Sequence, residues 1–222
     1  MYYNEIRITI EVVSAIIAFI LLWFMAKPYK LTRESRYLGL PLGFGFLGIS
    51  YVVSAAAISI TGYFTSELAW LQLLPRTFAF LFLAVTYYFS KEPSKNSRLI
   101  WNLTISSLFL ILVASIASVI IIPQLGLSYL YSSVYFRSCM LICLFYVSIH
   151  TLNSHIKALD PSTIVIPFGF ILLVISQYSA LIWAVDRSYF AFWGAVSVRL
   201  AALVVFLYVS YTAFHSSDKE VV

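Results

Sequence analysis

Three arginines stand inside apolar runs: Arg76 in LLPRTFAFLFLAVTYYF, Arg137 in VYFRSCMLICLFYVSI and Arg199 in AFWGAVSVRLAALVVFLYVSYTAF. A guanidinium within a bilayer costs several kcal/mol or more unless water or a partner meets it. Its planar fork of donors matches a carboxylate or a phosphate. Each arginine lies seven to nine residues from the same end of its run, roughly 10–14 Å deep at helical rise. Glu11 enters the first run at a similar depth, and Tyr51, Gln177 and Tyr178, with Ser50 and Ser179, fall in the corresponding zone of two further runs. The polar groups thus form one layer.

Within that layer three arginines meet one carboxylate, Glu11, with Glu67 and Asp186 at the rim. Two readings follow. The residues can pair with one another and fix helix packing, or the excess positive charge can line a pocket for an anion or a lipid headgroup. The charge count favours the second. The candidate ligand-binding residues are Arg76, Arg137, Arg199, Glu11, Gln177, Tyr178 and Tyr51.

The elements that must position them are membrane helices. The chain is 62% hydrophobic and 10% charged, against about a quarter charged in soluble domains. Seven runs are long enough to cross a bilayer: Ile6–Met25, Tyr37–Ile60, Leu68–Phe89, Leu99–Ile122, Leu130–Leu152, Thr163–Ala184 and Phe190–Phe214. This is an all-α integral membrane protein with the lipid bilayer as its surroundings. The first run reads as a span and not as a cleaved signal, because lysines and arginines follow it in place of a small-residue cleavage site. The first, third and fifth loops and the tail carry nine lysines and arginines, and the opposite side carries Arg7 and Arg187 alone. That asymmetry predicts the amino terminus outside, the carboxyl terminus in the cytoplasm and a multi-pass protein of the cell membrane. The basic charge is spent on topology, so the net charge of +5 gives no reason to expect nucleic acid.

An internal repeat is visible. Pro41-Leu-Gly43-Phe44 with Ile49-Ser50 in the second span matches Pro167-Phe-Gly169-Phe170 with Ile175-Ser176 in the sixth, at an offset of 126 residues. Arg76 and Arg199 match at an offset of 123, which a slightly shorter loop supplies. The expected layout is 3+1+3: one membrane domain over residues 1–222, with a first repeat at 6–89, a connector helix at 99–122 and a second repeat at 130–214. Both triplets start on the same side, so the repeat is parallel. The same offset sets Glu11 against Arg137. The expectation is that these two neutralise each other across a pseudo-two-fold axis, leaving Arg76 and Arg199 to hold the anion. Pro75, beside Arg76, is expected to disturb the helix ladder there.

The seven-helix layout resembles the broad group of rhodopsins, G-protein-coupled receptors and sugar-transporting SWEET proteins, in architecture alone. A microbial rhodopsin needs a lysine in the last span, and all six lysines are read as lying in loops or the tail, so no retinal cofactor is expected. The Pro-Gln pair of PQ-loop relatives occurs only as Pro123-Gln124, off the matching position. His150, His155 and His215 lie near or beyond the inner interface without repeat mates, a poor arrangement for haem. Cys139 and Cys143, at i and i+4, read as packing thiols. No hydrolase or metalloprotease motif is present, and no enzyme is expected. Asn102-Leu-Thr104 fits the glycosylation pattern but falls on the cytoplasmic side. The preferred reading is a receptor-like or sensor-like protein with an outward-facing arginine pocket, signalling through a protein partner on its basic cytoplasmic loops. Its rivals are a small-solute transporter of two three-helix repeats and a non-catalytic subunit of a larger membrane complex.

Overall fold

The computed structural model describes residues 2–32, 38–61, 66–89, 95–121, 129–158 and 164–217. They form seven helices: α1 (Tyr2–Thr32), α2 (Gly39–Thr61), α3 (Ser66–Phe89), α4 (Lys95–Ile121), α5 (Tyr129–Ala158), α6 (Val165–Asp186) and α7 (Tyr189–Ser217). Each is long and apolar enough to cross a membrane, and no strand occurs among the described residues. Helices are what lipid demands, since the hydrocarbon region offers backbone groups no partner outside the segment itself. Hydroxyls within the spans obey the same constraint. Thr77, Thr86, Ser148 and Thr151 each donate to the carbonyl four residues earlier.

The helices outrun the expected spans. Helix α1 continues past Met25 and through Pro28 to Thr32, and α5 continues past Leu152 to Ala158. Helix α4 likewise begins at Lys95, so Lys27, Lys30, Lys95, Arg98 and Lys157 are helical, not loop residues as expected. The long stems of Lys27 and Lys30 let their ammonium groups reach back over aromatic rings near the interface: Lys27 lies 5.3 Å from the Phe24 ring centre and Lys30 4.8 Å from that of Trp23. Tyr37, Ile122 and Thr163, expected span ends, fall outside the described residues.

Six helices close a ring. Helix α1 packs on α2, α2 on α3, α3 on α5, α5 on α6, α6 on α7, and α7 back on α1, while α4 packs on α3. Two glycines at the 126-residue offset allow close approaches inside the triplets. A Cβ on Gly43 would come within 2.8 Å of the Leu83 side chain, and one on Gly169 within 2.9 Å of the Phe206 ring. Small residues at such crossings are the usual means of bringing membrane helices together. Beside them, Ser50 Oγ donates to the Gln72 carbonyl at 2.9 Å, tying α2 to α3. Ser176 Oγ donates to the Ala195 carbonyl at 2.7 Å, tying α6 to α7. Both sets of contacts are separated by the offsets read from the sequence, 126 residues on the α2 and α6 side and 123 on the α3 and α7 side.

The half of the ring away from the amino terminus is filled with apolar side chains. Leu21, Phe44, Leu47, Phe80, Leu83, Met140, Leu144, Phe170, Leu173 and Phe206 belong to one buried core. Phe206 meets Phe44 edge-on at 5.7 Å and Phe170 at 4.7 Å, and Tyr87 closes on Phe170 at 5.5 Å. His150, expected as an interfacial polar group, is buried beside the rings of Tyr87 and Tyr146.

Candidate functional site: an arginine-lined cavity

Helices α1, α3, α5 and α7 all begin at one end of the ring. Glu11, Arg76, Arg137 and Arg199 lie eight to ten residues along them, roughly 12–15 Å in. Helices α2 and α6 run the other way and bring Tyr51 and Gln177 to that level from their second halves. The result is a cavity of about 610 Å³. Its walls include Glu11, Arg76, Arg137, Gln177 and Arg199 from the expected set, together with Arg7, Gln72, Tyr129, Ser133, Trp183, Arg187 and Phe192. Five arginines thus face the space, and Glu11 is the one carboxylate among the described lining residues. Arg187 is exposed, so the cavity reaches the surface at this end.

Aromatic rings support the guanidinium groups. The Tyr51 ring carries Arg199 at 4.4 Å and Arg76 at 5.1 Å. Trp183 carries Arg187 at 5.7 Å and Arg137 at 5.9 Å, and Phe192 carries Arg7 at 5.1 Å. A ring beneath a guanidinium stabilises the cation without cancelling its charge and leaves the N–H edge able to donate. This is how the chain keeps arginines charged and aimed in an apolar setting.

The ion pair differs from the one expected. Glu11 Oε1 lies 3.0 Å from Arg199 Nη2, both side chains buried, and Arg137 takes no part. The reason is the ring. Residues related by a two-fold axis are equivalent, and equivalence places them across the ring from each other. Helix α1 packs on α2 and α7, so Glu11 meets its neighbour on α7. Arg137 instead rests on Trp183 and meets the Tyr129 side chain of its own helix. Arg76 Nε donates to Ser50 Oγ at 3.1 Å, and Ser50 in turn ties off the Gln72 carbonyl in the turn before Pro75. Helix α3 runs on through Pro75 to Phe89.

Several buried polar atoms have no hydrogen-bond partner among the described residues: Arg76 Nη2, Arg137 Nε, Arg199 Nε and Gln177 Oε1. Groups so buried are ordinarily satisfied by protein or by ordered solvent. Tyr178 is misplaced in the expected set. It is 55% exposed on the outer surface of α6 and does not line the cavity, because one step along a helix turns a side chain by about 100° and its neighbours Ser176 and Gln177 already face inward. Tyr51 lies under the cavity as a platform and not in its wall.

Arg7 and Arg187 are the charged lining residues that sequence reasoning missed, having counted them only toward topology. Their signal was spacing: Arg7 is one turn from Glu11, and Arg187 one turn from Trp183. Arg187 also holds the left-handed conformation, with φ 55°, at the end of α6, where its N–H donates to the Trp183 carbonyl. That conformation costs a non-glycine residue of order 1–3 kcal/mol, and it sets the guanidinium back over the Trp183 ring. No protein-family model and no curated protein matches the chain.

Proposed function

We propose that the protein binds an anionic ligand, an organic anion or a lipid headgroup, in this cavity, and acts as a receptor-like membrane protein without catalysis of its own. The observation that carries the reading is the imbalance of five lining arginines against one glutamate, with buried donors left open. Low-dielectric walls strengthen the attraction for an anion beyond what the same charges exert in water. The excess of lysine and arginine at the other end of the helices supports an outward-facing mouth, with the amino terminus outside. A protein partner on the cytoplasmic loops would read the occupied state.

The test is direct. The purified protein in neutral detergent is heated with and without an anionic lipid extract and with a panel of organic anions and phosphate. Binding raises the unfolding temperature in proportion to ligand concentration over Kd. Absence of protection by every member removes the reading.

The transporter remains as a second reading because one observation favours it. The paired serine and glycine contacts recur at the repeat offsets, and lining residues pair likewise: Arg7 with Ser133, Glu11 with Arg137, Arg76 with Arg199. A site on the axis between two three-helix repeats is a transporter arrangement. The close-packed aromatic floor weighs against it. Uptake of a bound anion into proteoliposomes decides between the two.

A further inference from the structure

Glu11 and Arg137 occupy equivalent places in the two halves, as do Arg199 and Arg76. The contact between α1 and α7 is therefore the counterpart of that between α5 and α3, and both are present in the ring. In the first contact a carboxylate meets an arginine at 3.0 Å. In the second, the same two places hold Arg137 and Arg76. These guanidinium groups line the same cavity, are buried, and each has a donor without a hydrogen-bond partner, Nε of Arg137 and Nη2 of Arg76. Two like charges in a dry setting repel unless an anion lies between them.

We infer that the ligand places one oxyanionic group, a carboxylate or a phosphate, between Arg76 and Arg137, where it does for the second half of the molecule what the Glu11 carboxylate does for the first. The inference rests on the proposed anion-binding role and adds to it the position and chemistry of the recognised group. Both arginines already have supports before any anion arrives, Arg76 in Ser50 and Tyr51 and Arg137 in Trp183 and Tyr129. Two forks converging on one group suit an oxyanion with several acceptor lone pairs. Gln177 reaches the same cavity, and turning its amide over presents the NH2 to the same group. The wall also has apolar members, Ala180, Ala184 and Val196, against which an acyl or aromatic body could pack.

The experiment builds the missing carboxylate into the chain. Arg137→Glu restores at the α3–α5 contact the pairing found at α1–α7, and Arg76→Glu does so from the opposite helix should the first variant fail to fold. Thermal unfolding is followed in detergent with acetate, benzoate or inorganic phosphate, and in nanodiscs of phosphatidylcholine with and without phosphatidylglycerol. The expected result is a parent protein protected by at least one of these probes. The glutamate variant should unfold at a higher temperature than the empty parent and ignore the same probe. Arg137→Gln and Arg76→Gln should each raise the half-protecting concentration more than about thirtyfold. Protection by free anions identifies a soluble ligand, and protection by phosphatidylglycerol alone identifies a lipid headgroup; both support the seat. A parent that is protected while the glutamate variant responds equally places the anion elsewhere in the cavity and overturns this inference alone. A parent that no probe protects, with a glutamate variant no more stable than it, overturns the binding role as well.

Discussion

Replacing Glu11 by Gln leaves Arg199, buried at 4% exposure, without its counter-ion. The Tyr51 ring 4.4 Å away still supports the cation but supplies no charge. Removing one partner of a buried pair costs about 3–5 kcal/mol, most of it the penalty on the charge left behind. The loss should sit at the upper end, because four further arginines line the same cavity and the substitution deletes its lone described carboxylate. Arg199→Gln should destabilise comparably, leaving Glu11 buried and unpaired. The double variant loses both charges, and its stability should return to within about 1–2 kcal/mol of the parent, a coupling of at least 2 kcal/mol. The control is Glu11→Gln with Arg137→Gln. Those side chains belong to separate contacts, so no such rescue is expected, and Arg137→Gln alone should leave the empty protein as stable as before or more so. Denaturant titration in mixed micelles reads all five variants. Rescue of Glu11→Gln by Arg137→Gln but not by Arg199→Gln would refute the ring order from which the pairing follows.

Three further outcomes are expected. Arg7→Gln and Arg187→Gly, at the mouth, should slow anion capture with a salt dependence weaker than the parent's, as rim charges act mainly on encounter; Arg187→Gly should not lose stability, because glycine accepts the φ of 55° freely, and a drop in unfolding temperature would contradict this. Ser50→Ala should cost more than Ser176→Ala, about 1.5–3 against about 1 kcal/mol, since Ser50 also accepts from the Arg76 cation; equal losses would show that the Arg76 bond contributes nothing. In a background with Cys139 and Cys143 replaced by Ser, a cysteine at Ser188 should label from outside in intact cells and one at Lys157 should not, and the reverse pattern would invert the orientation.

The regular part of the fold was legible because lipid leaves few options. Long apolar runs between basic loops can only be helices, and seven were found where seven were expected. The Pro-x-Gly-Phe motifs carried more than their residue types suggest. Gly43 and Gly169 turned out to face Leu83 and Phe206, and Ser50 and Ser176 each tie the next helix by the same kind of bond. The depth of the polar layer was legible from rise alone. What linear spacing does not contain is the order of helices around the ring, and that order decides who touches whom. Hence Glu11 was assigned to its equivalent, Arg137, and not to its neighbour, Arg199. Angular phase was the second gap. Tyr178 was placed in the layer on depth, yet it faces outward. Arg7 and Arg187 were set aside as topology charges, although an arginine one turn from the layer has the reach to join it.

The floor of the cavity completes the contrast between the two halves. Leu83 and Phe206 stand at equivalent places on α3 and α7, both buried in the central core. The Phe206 ring fills the space beside Gly169 and meets Phe44 and Phe170 edge-on. Aromatic pairs of this kind add about 0.5–1.5 kcal/mol each beyond the area they bury, so the floor is held more firmly than apolar contact alone would hold it. The departures from symmetry therefore act together. Glu11 closes one arginine contact and leaves its counterpart open, while Phe206 crosses beneath the cavity from one half to the other. On the proposed role, an anion entering from the mouth would be drawn to the open contact and stopped there by the aromatic floor. With a glutamate on both α1 and α5 both arginine contacts would be closed, and with an arginine on both neither would be. If the two triplets are repeats, the exchange of Glu11 for Arg137 between them is what would leave the seat for the proposed anion, at the α3–α5 contact.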